Sequence, residues 1–108
     1  MITPILDAAS YLCYDNKCYL TWVYDSNAIS YEIYRDGILL DTVELKKLDT
    51  PFVFLRFPRN THLRNNLLKS KLYVDETVRK FREYTYQIRA VYENDVSEFS
   101  NKRYVKCD

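Results

Sequence analysis

Between Cys18 and Tyr24 the run CYLTWVY alternates, with Leu20 and Trp22 on one face and Tyr19, Thr21 and Val23 on the other. A period of two marks a strand with one buried face. The polar triplet Asp15, Asn16 and Lys17 precedes it, so residues 10–14 are predicted to pair with 18–24 as a hairpin. Asp25, Ser26 and Asn27 make the next turn, and ISYEIYR alternates again with Ile29, Tyr31 and Ile33 inward. Asp36-Gly37 then supplies the positive-φ pair that a type I′ hairpin turn requires, and residues 38–43 form the return strand. The longest alternation is YTYQIRAVY, which puts Tyr84, Tyr86, Ile88 and Ala90 on one side and predicts a central strand. Glu93, Asn94 and Asp95 turn the chain, and 98–106 is expected to return as the last strand. Short strands joined by polar turns, without strand–helix–strand alternation, predict two packed sheets.

Composition narrows the function classes. A chain of 108 residues that is 47% hydrophobic and 29% charged suits a single domain over 1–108. Its eleven Tyr and five Phe favour strands. Gly37 is the only glycine, so no glycine-rich phosphate loop can be written. A net charge of +1 exerts no global pull on nucleic acid or anionic lipid. Residues 1–10 lack the basic start and apolar run of a signal peptide, and no stretch is long and apolar enough to span a membrane. If Met1 is the native initiator, that pattern places the chain in the cytoplasm or in a virus particle. No cofactor or metal is expected, because Cys13, Cys18 and Cys107 lack zinc-ligand spacing. Without an oxidising compartment these cysteines are expected as reduced thiols; the alternative is a Cys13–Cys18 bridge across the first hairpin.

The pieces also resemble a known family when taken in order. The Leu20–Trp22 pair, YEIYRDG at 31–37, KLYVDETV at 71–78, EYTYQIRAV at 83–91 and DVSEFSN at 95–101 are similar to successive segments of fibronectin type III domains. The resemblance implies an all-β, immunoglobulin-like sandwich of about seven antiparallel strands. It implies Leu20, Trp22, Tyr31, Ile33 and Ile88 as structural residues, and Tyr84 at a tyrosine corner where its hydroxyl bonds nearby backbone. It further implies a non-enzymatic structural or protein-binding role.

One segment departs from that pattern. Residues 46–71 form an insertion between the strands that the family calls C′ and E, and carry seven basic side chains against Asp49 alone, a formal +6 that leaves −5 for the rest of the chain. PFVFLRF at 51–57 reads as a strand and 61–70 as a short helix with Thr61 as N-cap. The insertion either packs over a sheet edge with solvated charges or docks an acidic protein through Arg56, Arg59, Arg64, Lys69 and Lys71. Nucleic-acid contact through the same residues is a weaker alternative. No catalytic residue is assigned: His62 is the sole histidine and no nucleophile motif surrounds it, while Asp75 and Glu76 fall where the family has a turn. Outward tyrosines such as Tyr19 and Tyr34 suit cross-strand pairing, or contact with sugar or protein. The function expected is a protein-interaction module, as a subunit of an assembly such as a viral or phage particle, or as an accessory or carbohydrate-binding domain of a larger secreted protein.

Overall fold

The alternating runs become strands. The structure is a computed structural model, and it describes residues 2–7, 12–49 and 69–108. In chain order the strands are β1 (Leu12–Tyr14), β2 (Lys17–Val23), β3 (Ser30–Arg35), β4 (Ile38–Glu44), β5 (Ser70–Asp75), β6 (Glu83–Val91) and β7 (Arg103–Lys106). They form a three-stranded sheet, β1-β2-β5, and a four-stranded sheet, β4-β3-β6-β7, with every pairing antiparallel. Two hairpins close through two-residue turns with positive φ at both positions, 55° and 61° at Asp15-Asn16 and 53° and 81° at Asp36-Gly37. Such turns match the twist of the strands they join.

The inner faces meet in one core. Cys18, Leu20 and Trp22 of β2 face Tyr31 and Ile33 of β3 and Tyr86, Ile88 and Ala90 of β6, all buried. Trp22 and Tyr31 pack with ring centroids 5.1 Å apart. Each fully buried side chain of leucine size contributes about 2 kcal/mol by leaving water, so the alternation fixes which face of each strand turns inward. Tyr84, half-buried at the start of β6, accepts a hydrogen bond on its hydroxyl from the Arg79 amide at 2.9 Å.

Strand ends differ from the sequence reading in two places. Ile29 is exposed rather than inward, because β3 starts one residue later and the backbone leaves the ladder there to bond Val91 O and, from Ile29 O, the Leu45 amide. The last strand begins at Arg103, not at Glu98. Ahead of it, Ser97 and Ser100 accept hydrogen bonds on Oγ from the Ala90 and Ile88 amides, at 2.8 and 2.9 Å. Their own amides donate to the carbonyls of those two residues. Three residues of this segment therefore oppose two of β6, and that mismatch prevents a regular ladder.

The cysteines require a larger correction. Cys13 is bonded to Cys107, 94 residues away, and Cys18 is a buried free thiol. Neither three thiols nor a Cys13–Cys18 bridge describes the molecule. The chain leaving β7 bonds back to both neighbours: Cys107 N–H donates to Arg82 O, and Asp108 N–H donates to Cys13 O. Cys107 is thereby set against β1, and the bridge ties the edge of one sheet to the end of the other.

The insertion opens in a single 3-10 turn, Leu45–Lys47, and its flanks are joined where the Leu72 amide donates to Asp49 O. Its far end is shorter than expected, since Ser70 and Lys71 belong to β5. The strand expected at 51–57 and nearly all of the helix expected at 61–70 lie outside the described residues, as do Arg56, Arg59, His62 and Arg64.

Candidate functional site

The two ends of the sandwich hold different chemistry. At the end carrying the Asp15-Asn16 and Asp36-Gly37 turns, β5 delivers Asp75 into the gap between the sheets, where it is buried. Its Oδ2 accepts from Arg35 Nη1 at 2.9 Å and the Tyr86 hydroxyl at 2.7 Å. Its Oδ1 accepts from the Thr77 amide and hydroxyl. Burial alone would raise the carboxyl pKa, but bonds from Thr77, Tyr86 and Arg35 outweigh it and hold the group below its ordinary 3.8. The same burial pushes the Tyr86 hydroxyl far above its usual range. Arg35 also lies over the Tyr84 ring, 5.1 Å from its centroid. Every lone pair that Asp75 offers is engaged by protein, so this cluster clamps sheet to sheet.

The opposite end is open. Here the Tyr24 amide donates to Lys69 O at 3.0 Å, fixing the root of the basic insertion beside the β2–β3 loop. Tyr24 forms a ridge between two clefts. One, of about 300 Å³, is lined by Ile2, Pro4, Ile5, Val23 and Tyr31. The other, of about 440 Å³, is lined by Ala28, Ile29, Leu45, Lys46 and Lys71. The Lys71 ammonium sits 5.1 Å from the centre of the Tyr24 ring, a cation–π contact.

Around that ridge the surface is unusually apolar, with Ile2 65%, Ile5 67%, Val23 47% and Ile29 53% exposed. Single exposed aliphatics are ordinary, but several at one end form a patch that solvent disfavours. The loop beneath is rigidly held: Asp25 accepts from the Tyr92 hydroxyl at 2.6 Å and the Asn27 amide at 3.0 Å, and its own amide donates to the Tyr31 hydroxyl. The Tyr92 hydroxyl first, then the Asn27 amide, keep the Asp25 carboxyl below its ordinary pKa. These bonds anchor the ionised carboxylate in the loop. Lys46 and Lys47 lie 3.4 and 3.9 Å from Glu44 on exposed side chains, where such pairs are worth little and separate easily.

Of the basic residues singled out in the sequence, the structure thus gathers Lys69 and Lys71 at the Tyr24 ridge. Sequence reasoning missed Tyr24, Ile2, Ile5 and Ile29. Only Val23 gave a signal, as an aliphatic on the face of β2 that otherwise points outward. Tyr34 is engaged elsewhere: its hydroxyl donates to Glu32, its ring meets Phe99 edge-on at 4.9 Å, and Arg89 lies over both rings. Tyr19 stacks on Tyr14 at 5.6 Å. Among the described residues there is no cluster of metal-binding side chains, and no helix is long and apolar enough to cross a membrane.

No protein-family model matches the chain, and neither does any curated protein. Among solved structures it is similar to an Fn3-like protein from Clostridium thermocellum, with a TM-score of 0.55 and 18% identity over 100% of this chain and 88% of that one. Two antiparallel sheets, seven strands among the described residues and this likeness agree: the chain has a fibronectin type III-like fold.

Proposed function

We propose that the chain is a non-enzymatic interaction module that docks an acidic protein segment on the Tyr24 ridge, as a subunit of a larger assembly. The observation that carries this reading is the coincidence, at one end, of two apolar clefts, a lysine-capped tyrosine and the root of the +6 insertion. Aliphatic side chains of a partner would fill the clefts, and its carboxylates would meet Lys46, Lys47, Lys69 and Lys71. Arg56, Arg59 and Arg64 extend the same charge along the insertion. Exposed charges of this kind raise the association rate and select partners, while the apolar contacts supply most of the lifetime. Acids also line the clefts, Asp7 and Asp25 in the first and Glu44 in the second, so the partner's carboxylates would meet the lysines on the Leu45–Lys46 and Lys71 side of the ridge.

The test uses isotope-labelled protein titrated with two synthetic peptides of equal length, alternating Leu with Glu or Leu with Lys, and with a single-stranded oligonucleotide. Amide resonances of Val23, Tyr24, Ile29, Lys69 and Lys71 should shift with the Leu/Glu peptide, and less so at high salt. A Leu/Lys peptide that perturbs the same amides equally would refute charge recognition. Shifts produced by the oligonucleotide alone would transfer the surface to nucleic acid. Arg56→Glu/Arg59→Glu/Arg64→Glu should slow association with the Leu/Glu peptide; an unchanged rate in a folded triple variant would remove the insertion from the site.

A further inference from the structure

The end away from the docking ridge holds all three cysteines together. Cys13 and Cys18 are partners in the β1–β2 ladder, one pair beyond the pair that closes the two-residue turn. That position in a hairpin is the narrow kind, with Cα atoms about 4.5 Å apart and side chains on the same face. Both side chains are buried in the common core. Cys107 stands 4.6 Å from Cys13, Cα to Cα. A disulfide tolerates Cα separations of about 4.4–6.8 Å, so Cys13 lies within bonding range of either sulfur.

We infer that Cys13, Cys18 and Cys107 form an internal thiol–disulfide exchange site, in which Cys18 displaces Cys107 from Cys13 and releases the C-terminal end. The Cys18 thiol loses its proton, an S–S bond forms between Cys18 and Cys13, and the Cys13–Cys107 bond breaks. Cys107 departs as a thiolate and takes up a proton. One disulfide is exchanged for another, so no oxidant or reductant is consumed.

The fold selects which bridge is present. In an unfolded chain, closing the short Cys13–Cys18 loop costs far less entropy than closing one of 94 residues. Folding reverses the preference by laying the segment after β7 along β1, through the Asp108–Cys13 and Cys107–Arg82 hydrogen bonds. The bridge isomer therefore reports whether the C-terminal end is docked. The groups facing Cys18 are Asp75 on β5, the Tyr86 hydroxyl on β6 and Arg35 on β3. Burial comes first and Asp75 adds to it, and together they outweigh the opposing pull of the Tyr86 hydroxyl and Arg35 and hold the thiol up at about 11. The thiolate is the attacking species, so exchange should accelerate about tenfold per pH unit below that value.

Trypsin reads the isomer directly, because Lys17, Arg35 and Lys106 separate the cysteines into peptides 1–17, 18–35 and 107–108. The whole chain is incubated at pH 6, 8 and 9.5, quenched in acidic denaturant with N-ethylmaleimide, digested and weighed. The expected result is 1–17 linked to 107–108 with label on Cys18 as the main species, together with a minor species in which 1–17 is linked to 18–35 and Cys107 carries the label, reaching its equilibrium share faster as pH rises. The rate should not depend on protein concentration. Cys18→Ser should abolish labelling of Cys107. Absence of the 1–17/18–35 species at every pH overturns the proposal, as does a rate that scales with concentration. Labelling of Cys107 in a folded Cys18→Ser variant does the same. If that variant does not fold, the pH series on the unaltered chain decides alone.

Discussion

The Asp75 end and the Tyr24 end lie at opposite ends of the same two strands, β2 and β5, yet treat their polar groups in opposite ways. Around Asp75 the carboxylate, the guanidinium, the phenol and the threonine satisfy one another inside the sandwich. Around Tyr24 the hydrogen bonds hold the loop from beneath, while aliphatics and lysines stay exposed. A sandwich has two such ends, and its sheets must be tied at one of them at least. With the tie concentrated at the Asp75 end, the other is free to carry contact surface on a scaffold that does not shift.

That contrast can be broken from the strong end first. Cys107→Ser removes a bridge spanning 94 residues, and chain-entropy reasoning sets the loss at about 4 kcal/mol. Urea denaturation of the variant should show a much lower midpoint, whereas an unaltered midpoint would mean that the bridge does not constrain the chain. Asp75→Asn should follow, at about 3 kcal/mol, because it strands a partly buried guanidinium and a buried phenol. The pH dependence has a definite sign. A carboxyl whose folded pKa lies below 3.8 contributes stability that is fully present above its unfolded value. That contribution is lost as pH falls through the lowered value. Thermal melts below pH 4 should therefore fall more steeply for the unaltered chain than for Asp75→Asn, and parallel curves would deny Asp75 this role.

Tyr84→Phe sharpens the picture with a smaller effect, on the order of 1 kcal/mol, since only the bond from the Arg79 amide is removed. Calorimetry should show a modest drop in Tm with the fold retained. At the weak end, Lys69→Glu/Lys71→Glu should change stability by less than about 0.5 kcal/mol. It should weaken the Leu/Glu peptide roughly tenfold through its association rate. A variant that unfolds would show that the Tyr24 end is structural as well, and the division between the two ends would disappear.

The residues themselves explain how far the sequence reaches. Leu20, Trp22, Ile33, Tyr86 and Ile88 could be placed inward because a pleated strand makes side chains alternate, and burial follows from that local rule. Asp36-Gly37 was legible for the same reason, since positive φ at two successive residues is a property of the turn alone. Ile29 escaped because the rule fails where a strand ends, and the end of β3 is set by the hydrogen bonds of its neighbours. The docking ridge was legible only in its charge. Lys69 and Lys71 stand out in a basic run, but Ile2 and Val23, far apart in the chain, line one cleft and Ile29 the other, and only the packed fold sets both clefts beside Tyr24.

Sequence alone thus determined the strands, their inward faces and the resemblance to a fibronectin type III domain, all of which rest on patterns within a few neighbouring residues. Tertiary structure decided what depends on distance in space: that Cys13 bonds Cys107 and not its hairpin partner, that Asp75 gathers Arg35, Tyr86 and Thr77, and that one end of the sandwich stays open. Cysteine spacing along the chain favours the short bridge, because closing a small loop costs little entropy. Only the packing of β7 and its following segment against β1, built from many weak contacts acting together, supplies enough free energy to choose the long one.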